Sequence, residues 1–260
     1  MPGETLPALV FVYNKMQGDT KMAGTVVHLV IADIIAQEWA GREITTPYGR
    51  TSVIYDYFIA GNICPDGIMA RKGYVREMKK HTHFRDGIAD GDFHKKENIA
   101  LFHKRLESFM ENSFNSIKTD SGRSLYLGYW VHMLADEMFV VQIRPEFLEN
   151  ISVTGLTEQN METFRYFSKD VDMIDFRIVN EYQGIQRIYN ALSAVKPYEI
   201  SGMITKDELT DSRNWILKYF FETEHNGITE PVYISYNRMM EFINNAASKI
   251  SSSFYFSSIS

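Results

Sequence analysis

The stretch Gly128-Tyr129-Trp130-Val131-His132-Met133-Leu134-Ala135-Asp136-Glu137-Met138-Phe139 carries a histidine and an aspartate four residues apart in an otherwise apolar, aromatic run. At that spacing on a helix the two side chains lie on one face, one turn from each other. Tyr126 and Leu127 extend the apolar character upstream. A carboxylate on such a helix is costly unless something pairs with it. A divalent cation would be a sufficient partner, since imidazole and carboxylate both ligate zinc and similar ions. A buried His132–Asp136 hydrogen bond without metal would also meet the need.

Helical periodicity recurs on both sides of this run. Residues 97–117 place Ile99, Leu101, Phe102, Leu106, Phe109, Met110 and Phe114 at helical spacing. Residues 22–40 do the same with Val26, Val27, Val30, Ile31, Ile34, Ile35 and Trp39, and His28 lies inside this segment. Thr46-Pro47-Tyr48-Gly49 reads as a turn. Residues 50–62 read as a short helix ending before Cys64-Pro65-Asp66-Gly67. A helix rarely continues through the residue before a proline, so Asp66 is expected on a loop at a helix end. Residues 67–96, rich in Gly, Lys, His and Asp, read mostly as a loop that includes His81 and His83. A loop of about 30 residues in a compact domain is often functional.

The apolar helix is expected over residues 122–143, with a change of pattern after Arg144-Pro145. Residues 157–192 suggest one long helix or two, with Gly184 as the break; 206–223 and 231–250 suggest two more. The tail from Ser251 to Ser260 is either frayed or packed. Residues 1–21 give no firm element. Strand signals are few and no repeat stands out. The expectation is an all-α fold, a single helical domain over 1–260, with a metal site from 22–140 and 150–260 as its helical C-terminal part.

Composition narrows the function classes. With 45% hydrophobic and 13% aromatic residues among 260, a substantial core is available. The net charge of -6 argues against nucleic acid or a polybasic membrane contact as partner. A small anionic substrate stays open, because a bound cation reverses the local field. Cys64 is the sole cysteine, which excludes an intramolecular disulfide and four-cysteine zinc sites. No basic start followed by an apolar run is visible, nor an apolar stretch of about 18 residues, so a cytoplasmic protein without a transmembrane segment is expected.

Other candidate ligands each have a plainer reading beside the metal one. His28 has no polar neighbour in sequence and would serve as a satisfied histidine on an apolar helix. Asp66 sits in an ordinary Pro-Asp-Gly turn tripeptide. His83 would serve as a loop histidine. His103 and Glu107 have helical spacing among lysines and read as a solvated pair. His225 reads as a cation at a helix C-terminus, and His94 as weaker still. Met16, Met22 and the other methionines read as core filling. No phosphate-binding glycine loop, dinucleotide fingerprint or Gly-x-Ser-x-Gly elbow is present.

Taken in order, four segments resemble the zinc-dependent phospholipase C family, which is related to the single-strand-specific fungal nucleases. They are Val27-His28-Leu29-Val30-Ile31-Ala32, Phe58-Ile59-Ala60-Gly61-Asn62-Ile63-Cys64-Pro65-Asp66, Thr82-His83-Phe84 and Leu127 to Asp136. The resemblance implies an all-helical phospholipase C/nuclease-like domain whose zinc cluster hydrolyses phosphodiesters. It places His28, Asp66, His83, His132 and Asp136 on metal-ligand positions. Asp136 would bridge two metals, Asp66, His83 and His132 would hold one, and His28 would help hold the other. The chain departs from the family in having no tryptophan among the 27 residues before His28. It also lacks the downstream histidine and His-x-x-x-Glu pair, since only His225 follows Asp136. One metal of the full cluster is therefore expected to be missing or held differently.

The leading expectation is a metal-dependent hydrolase of a small phosphorylated substrate, with one or two zinc or other divalent ions. Asp66 would position or deprotonate water. Arg85, or else Lys72 or Arg76, would neutralise phosphate oxygens. Tyr129 and Trp130 would line a pocket or pack in the core. A non-catalytic, metal-stabilised binding or scaffold module is the alternative. A single-strand nuclease is the third reading, and the acidic balance counts against it.

Overall fold

Helix α1 (Thr25–Trp39) is rich in valine and isoleucine, which are indifferent helix formers. Burial stabilises it instead. Val26, Val27, Leu29, Val30, Ile31, Ala32, Ile35 and Trp39 are all inaccessible to solvent. The computed structural model describes residues 23–257. The expectations for residues 1–21 and for Met16 and Met22 lie outside the described residues.

After α1 a hairpin forms from β1 (Glu43–Thr46) and β2 (Gly49–Ser52), closed by the turn at Pro47-Tyr48. The turn is where the sequence puts it, but its flanks are strands, and the following helix starts only at Tyr55. The strands are four residues each and threonine-rich, too short to show a clear alternation. The C-terminal β3 (Tyr255–Ser257) pairs antiparallel with β1 to complete a sheet of order β2-β1-β3. The described part of the tail, to residue 257, is therefore packed: Phe254 lies edge-on to Trp39 at 4.9 Å and to Trp130 at 5.0 Å.

The helical frame continues with α2 (Tyr55–Asn62), the single turn α3 (Cys64–Gly67), α4 (Arg76–Thr82) and α5 (Lys96–Ser116). It ends with α6 (Asp120–Ser152), α7 (Met161–Glu181), α8 (Ile185–Ala194), α9 (Lys206–Ile216) and α10 (Tyr236–Ser252). The fold is all-α with this one small sheet, and no described helix is long and apolar enough to cross a membrane. Gly184 divides α7 from α8, as its position in the sequence suggests.

Two expectations fail in informative ways. Helix α6 does not end at Pro145 but runs on to Ser152. Proline removes one donor to the carbonyl four residues back. That residue, Val141, is 46% exposed, so water can serve its carbonyl, while buried Phe147 and Ile151 hold the last turns on the core. Within the expected loop 67–96, residues Arg76–Thr82 form α4. Its buried face is Lys79 and Thr82 rather than an apolar stripe, so periodicity does not reveal it.

Helices α2 and α6 make the closest crossing. A Cβ on Gly61 would lie 1.9 Å from the Leu125 carbonyl oxygen, and one on Gly128 would lie 2.1 Å from that of Phe58. Only glycine lets the backbones approach this far. The approach brings the Asn62 amide within 3.3 Å of the Gly128 carbonyl. Gly128→Ala should cost about 3 kcal/mol, because overpacking against backbone outweighs alanine's better helix propensity. Urea unfolding measures this, and an unchanged midpoint would contradict the crossing.

Candidate metal centre

The N-terminus of α1 points its free amides at a carboxylate from α7. Val26 and Val27 donate to Asp175 at 3.2 and 3.1 Å. Gly24 permits this approach, since a Cβ there would lie 2.4 Å from Asp175 Oδ1. The cap fixes the first turn of α1, and His28 is in that turn, its amide bonded to the Gly24 carbonyl.

Helix α6 presents His132 and Asp136 opposite. The His28 and His132 rings stack with centroids 3.8 Å apart. His28 Nε2 lies 3.1 Å from Asp136 Oδ1. Asp136 Oδ2 lies 3.6 Å from His132 Nε2 and 3.6 Å from His83 Nε2. Asp66 Oδ1 lies 3.4 Å from His83 Nε2 and 2.6 Å from the Lys79 ammonium. All five sequence-predicted ligands thus meet in one place. They form two groups with a shared member, His28–His132–Asp136 and Asp66–His83–His132, with ligand atoms within 4.8 Å of one another in each.

Asp66 is not on a loop, as the sequence reading expects, but on the single turn α3. Pro65 starts a new helical turn rather than ending the chain's helical course, because its missing N–H is not needed there. His83 caps α4, and Phe84 follows with φ 56, a left-handed backbone that is uncommon outside glycine. Phe84 and Arg85 return amide bonds to His81 and Lys80, which turns the chain sharply inward after His83. Strain of this kind persists where surrounding packing imposes it. Here Phe84 packs on Phe109 at 5.1 Å.

Backbone carbonyls set the tautomers. Nδ1 of His132 donates to the Asn62 carbonyl at 2.7 Å, and Nδ1 of His83 donates to the Lys79 carbonyl at 2.8 Å. Each ring therefore turns a bare Nε2 lone pair into the cluster. Among the described residues, His28 Nδ1, His83 Nε2, His132 Nε2 and Asp136 Oδ2 are buried without a hydrogen-bond partner. Orphaned buried nitrogens and carboxylate oxygens are costly in a folded protein. A divalent cation accepts lone pairs of this kind, and a set of imidazoles with carboxylates fits zinc chemically.

Electrostatics agree with a ligand-ready state. Burial pushes the His28 imidazole below its ordinary value, with His132 adding to the shift and Asp136 opposing it. Burial pushes His83 down to about 4 against the pull of Asp66. Burial alone would raise the carboxyls of Asp136 and Asp66. His132 and His28 hold Asp136 well below the usual range, and Lys79, with His83 and His132, does so for Asp66.

Other candidates are placed elsewhere or differently. Arg85 is 6% exposed, stacks its guanidinium 3.9 Å over Phe93 and brings Nη2 to 3.9 Å from Asp136 Oδ2. Arg76 pairs with Asp90, and Lys72 is exposed. His103 pairs with Glu137 of α6 at 2.9 Å rather than with Glu107, because the two helices pack together. His81 meets Asp86, His94 is exposed, and His225 stacks on Phe176 at 3.7 Å, bonded to the Tyr219 carbonyl. Tyr129 is core, its hydroxyl donating to the Thr82 carbonyl, while Trp130 lies half-buried against Phe254. Lys79, Asn62 and Asp175 escape sequence reading: two act here through backbone carbonyls, and the third caps a helix distant in sequence.

The shifts predict acid lability of the metal-free chain. Between 6.5 and about 4 the unfolded chain binds a proton that folded His83 refuses, so stability falls as pH drops through that window. His83 alone accounts for about 3 kcal/mol. His28 adds in the same direction, and Asp66 and Asp136 continue the loss at lower pH. Urea unfolding of chelator-treated protein across this range should show a steadily falling midpoint, and a flat or rising one would contradict the assignment. Comparison of the chain with protein-family models, with curated proteins and with solved structures finds no match.

Proposed function

We propose that the chain is a divalent-metal-dependent hydrolase of phosphate esters, acting on a small phosphodiester as zinc-dependent phospholipases C do. The observation that carries this reading is the convergence of buried, orphaned ligand atoms, His83 Nε2 and His132 Nε2 each 3.6 Å from Asp136 Oδ2, with His28 Nε2 at the other oxygen of Asp136. A narrow cleft lined in part by Thr25, His28, Asn62, Asp66, His132 and Ser212 opens on the same residues. Asp66 is the ligand-set member that keeps the most solvent contact, with a side chain 19% exposed against 1–2% for the others.

A bound divalent ion supplies Lewis-acid polarisation of a phosphoryl oxygen and lowers the pKa of water. Within this chain, His28, His132 and Asp136 would hold the ion, with His83 and Asp66 beside them. Asp66, at the cleft, would orient the attacking water through its carboxylate. Arg85 does not line that cleft. Its guanidinium, near Asp136, balances the carboxylate charge rather than touching substrate.

The same depth of burial favours a second reading, a structural metal in a non-catalytic module, because side chains 1–2% exposed leave little room for exchange. Activity separates the two. Purified protein loaded with zinc should hydrolyse a chromogenic phosphodiester. Asp136→Asn and His132→Ala should each lose metal affinity by about 100-fold or more, since even outer-shell changes cost 10–100-fold, and activity should fall with it. Metal retained with no hydrolysis of diesters or monoesters favours the structural reading, and no metal at all contradicts both.

A further inference from the structure

Lys79 is 6% exposed, and its ammonium lies 2.6 Å from Asp66 Oδ1. Lysine is rarely enclosed without a paired charge. The same oxygen is the one that faces His83 Nε2, at 3.4 Å. An ion shared by these two atoms would sit about 2.0–2.2 Å from each. Adding the ammonium contact of 2.6 Å puts the two cations within about 5 Å at any angle. They would share one oxygen with little water to screen them.

His132 decides which group takes the ion. Its Nδ1 is engaged by the Asn62 carbonyl at 2.7 Å, so Nε2 offers a single lone pair. Both possible ligand groups draw on that atom. One lone pair serves one ion. The group with Asp136 has no lysine set against it, and the cation facing that carboxylate is Arg85, 3.9 Å from Oδ2.

We propose that Lys79 is the resident cation of Asp66, standing in place of a second metal ion, so that the native centre binds one divalent ion at His28, His132 and Asp136. Asp66 is thereby kept for water at the cleft rather than for coordination. This rests on the metal-dependent reading above and fixes its ion count. Lys79 has a double part, since its carbonyl also orients His83.

Zinc stoichiometry tests it without reference to turnover. The full chain is dialysed to equilibrium against zinc chloride and its metal counted by elemental analysis, with folding checked by circular dichroism. Wild type should hold one zinc, and Asp66→Asn should also hold one. Lys79→Met and Lys79→Gln should hold two, the second on Asp66 and His83. Two zincs in wild type, loss of zinc in Asp66→Asn, or a folded Lys79 variant that stays at one would overturn the proposal. If neither Lys79 variant folds, wild type and Asp66→Asn decide it alone. No zinc in wild type instead removes the metal reading itself, which distinguishes the two failures.

Discussion

The close crossing of α2 and α6 at Gly61 and Gly128 is the constraint on which the centre depends. With any side chain at either position the two backbones would separate. The Asn62 carbonyl would then leave His132 Nδ1, and the tautomer that exposes Nε2 would lose its anchor. Asp66 follows Asn62 by one turn of α3, so it too is placed by this crossing. The capped N-terminus of α1 delivers His28 from the other side. The C-cap of α4 delivers His83 from a third. Backbone geometry, rather than a side-chain network, aims the ligands.

The centre's charge balance follows from that geometry. Two carboxylates, Asp66 and Asp136, are enclosed with Lys79 and Arg85. Breaking a buried pair by removing one partner is far costlier than never forming it. The cations are therefore part of the folded core and not only of the chemistry. Added metal makes the site positive overall, which suits a phosphate anion.

Much of this was legible in the sequence, for physical reasons that differ by residue. His132 and Asp136 stand out because a carboxylate on an apolar helix demands a partner. Their burial and their separation from solvent follow from the run around them. His28, Asp66 and His83 are distinguishable by type and order, but their convergence depends on tertiary contacts over about a hundred residues of chain, as His28 with Asp136 does. Helix α4 was hidden because its inward face is polar. Lys79 sits in a Lys79-Lys80-His81 run that looks solvated, and only the fold turns it inward. Glu137, the partner of His103, lies on another helix, which local spacing does not reach. The strands are too short to alternate, and β3 is fixed by pairing with β1 rather than by its own pattern.

The most direct measurement is anomalous diffraction at the zinc edge from crystals of zinc-loaded protein. The account predicts a peak among His28, His132 and Asp136, about 2.0–2.2 Å from their ligand atoms. A map with no peak there, or with zinc only at surface histidines such as His81 or His94, would contradict it.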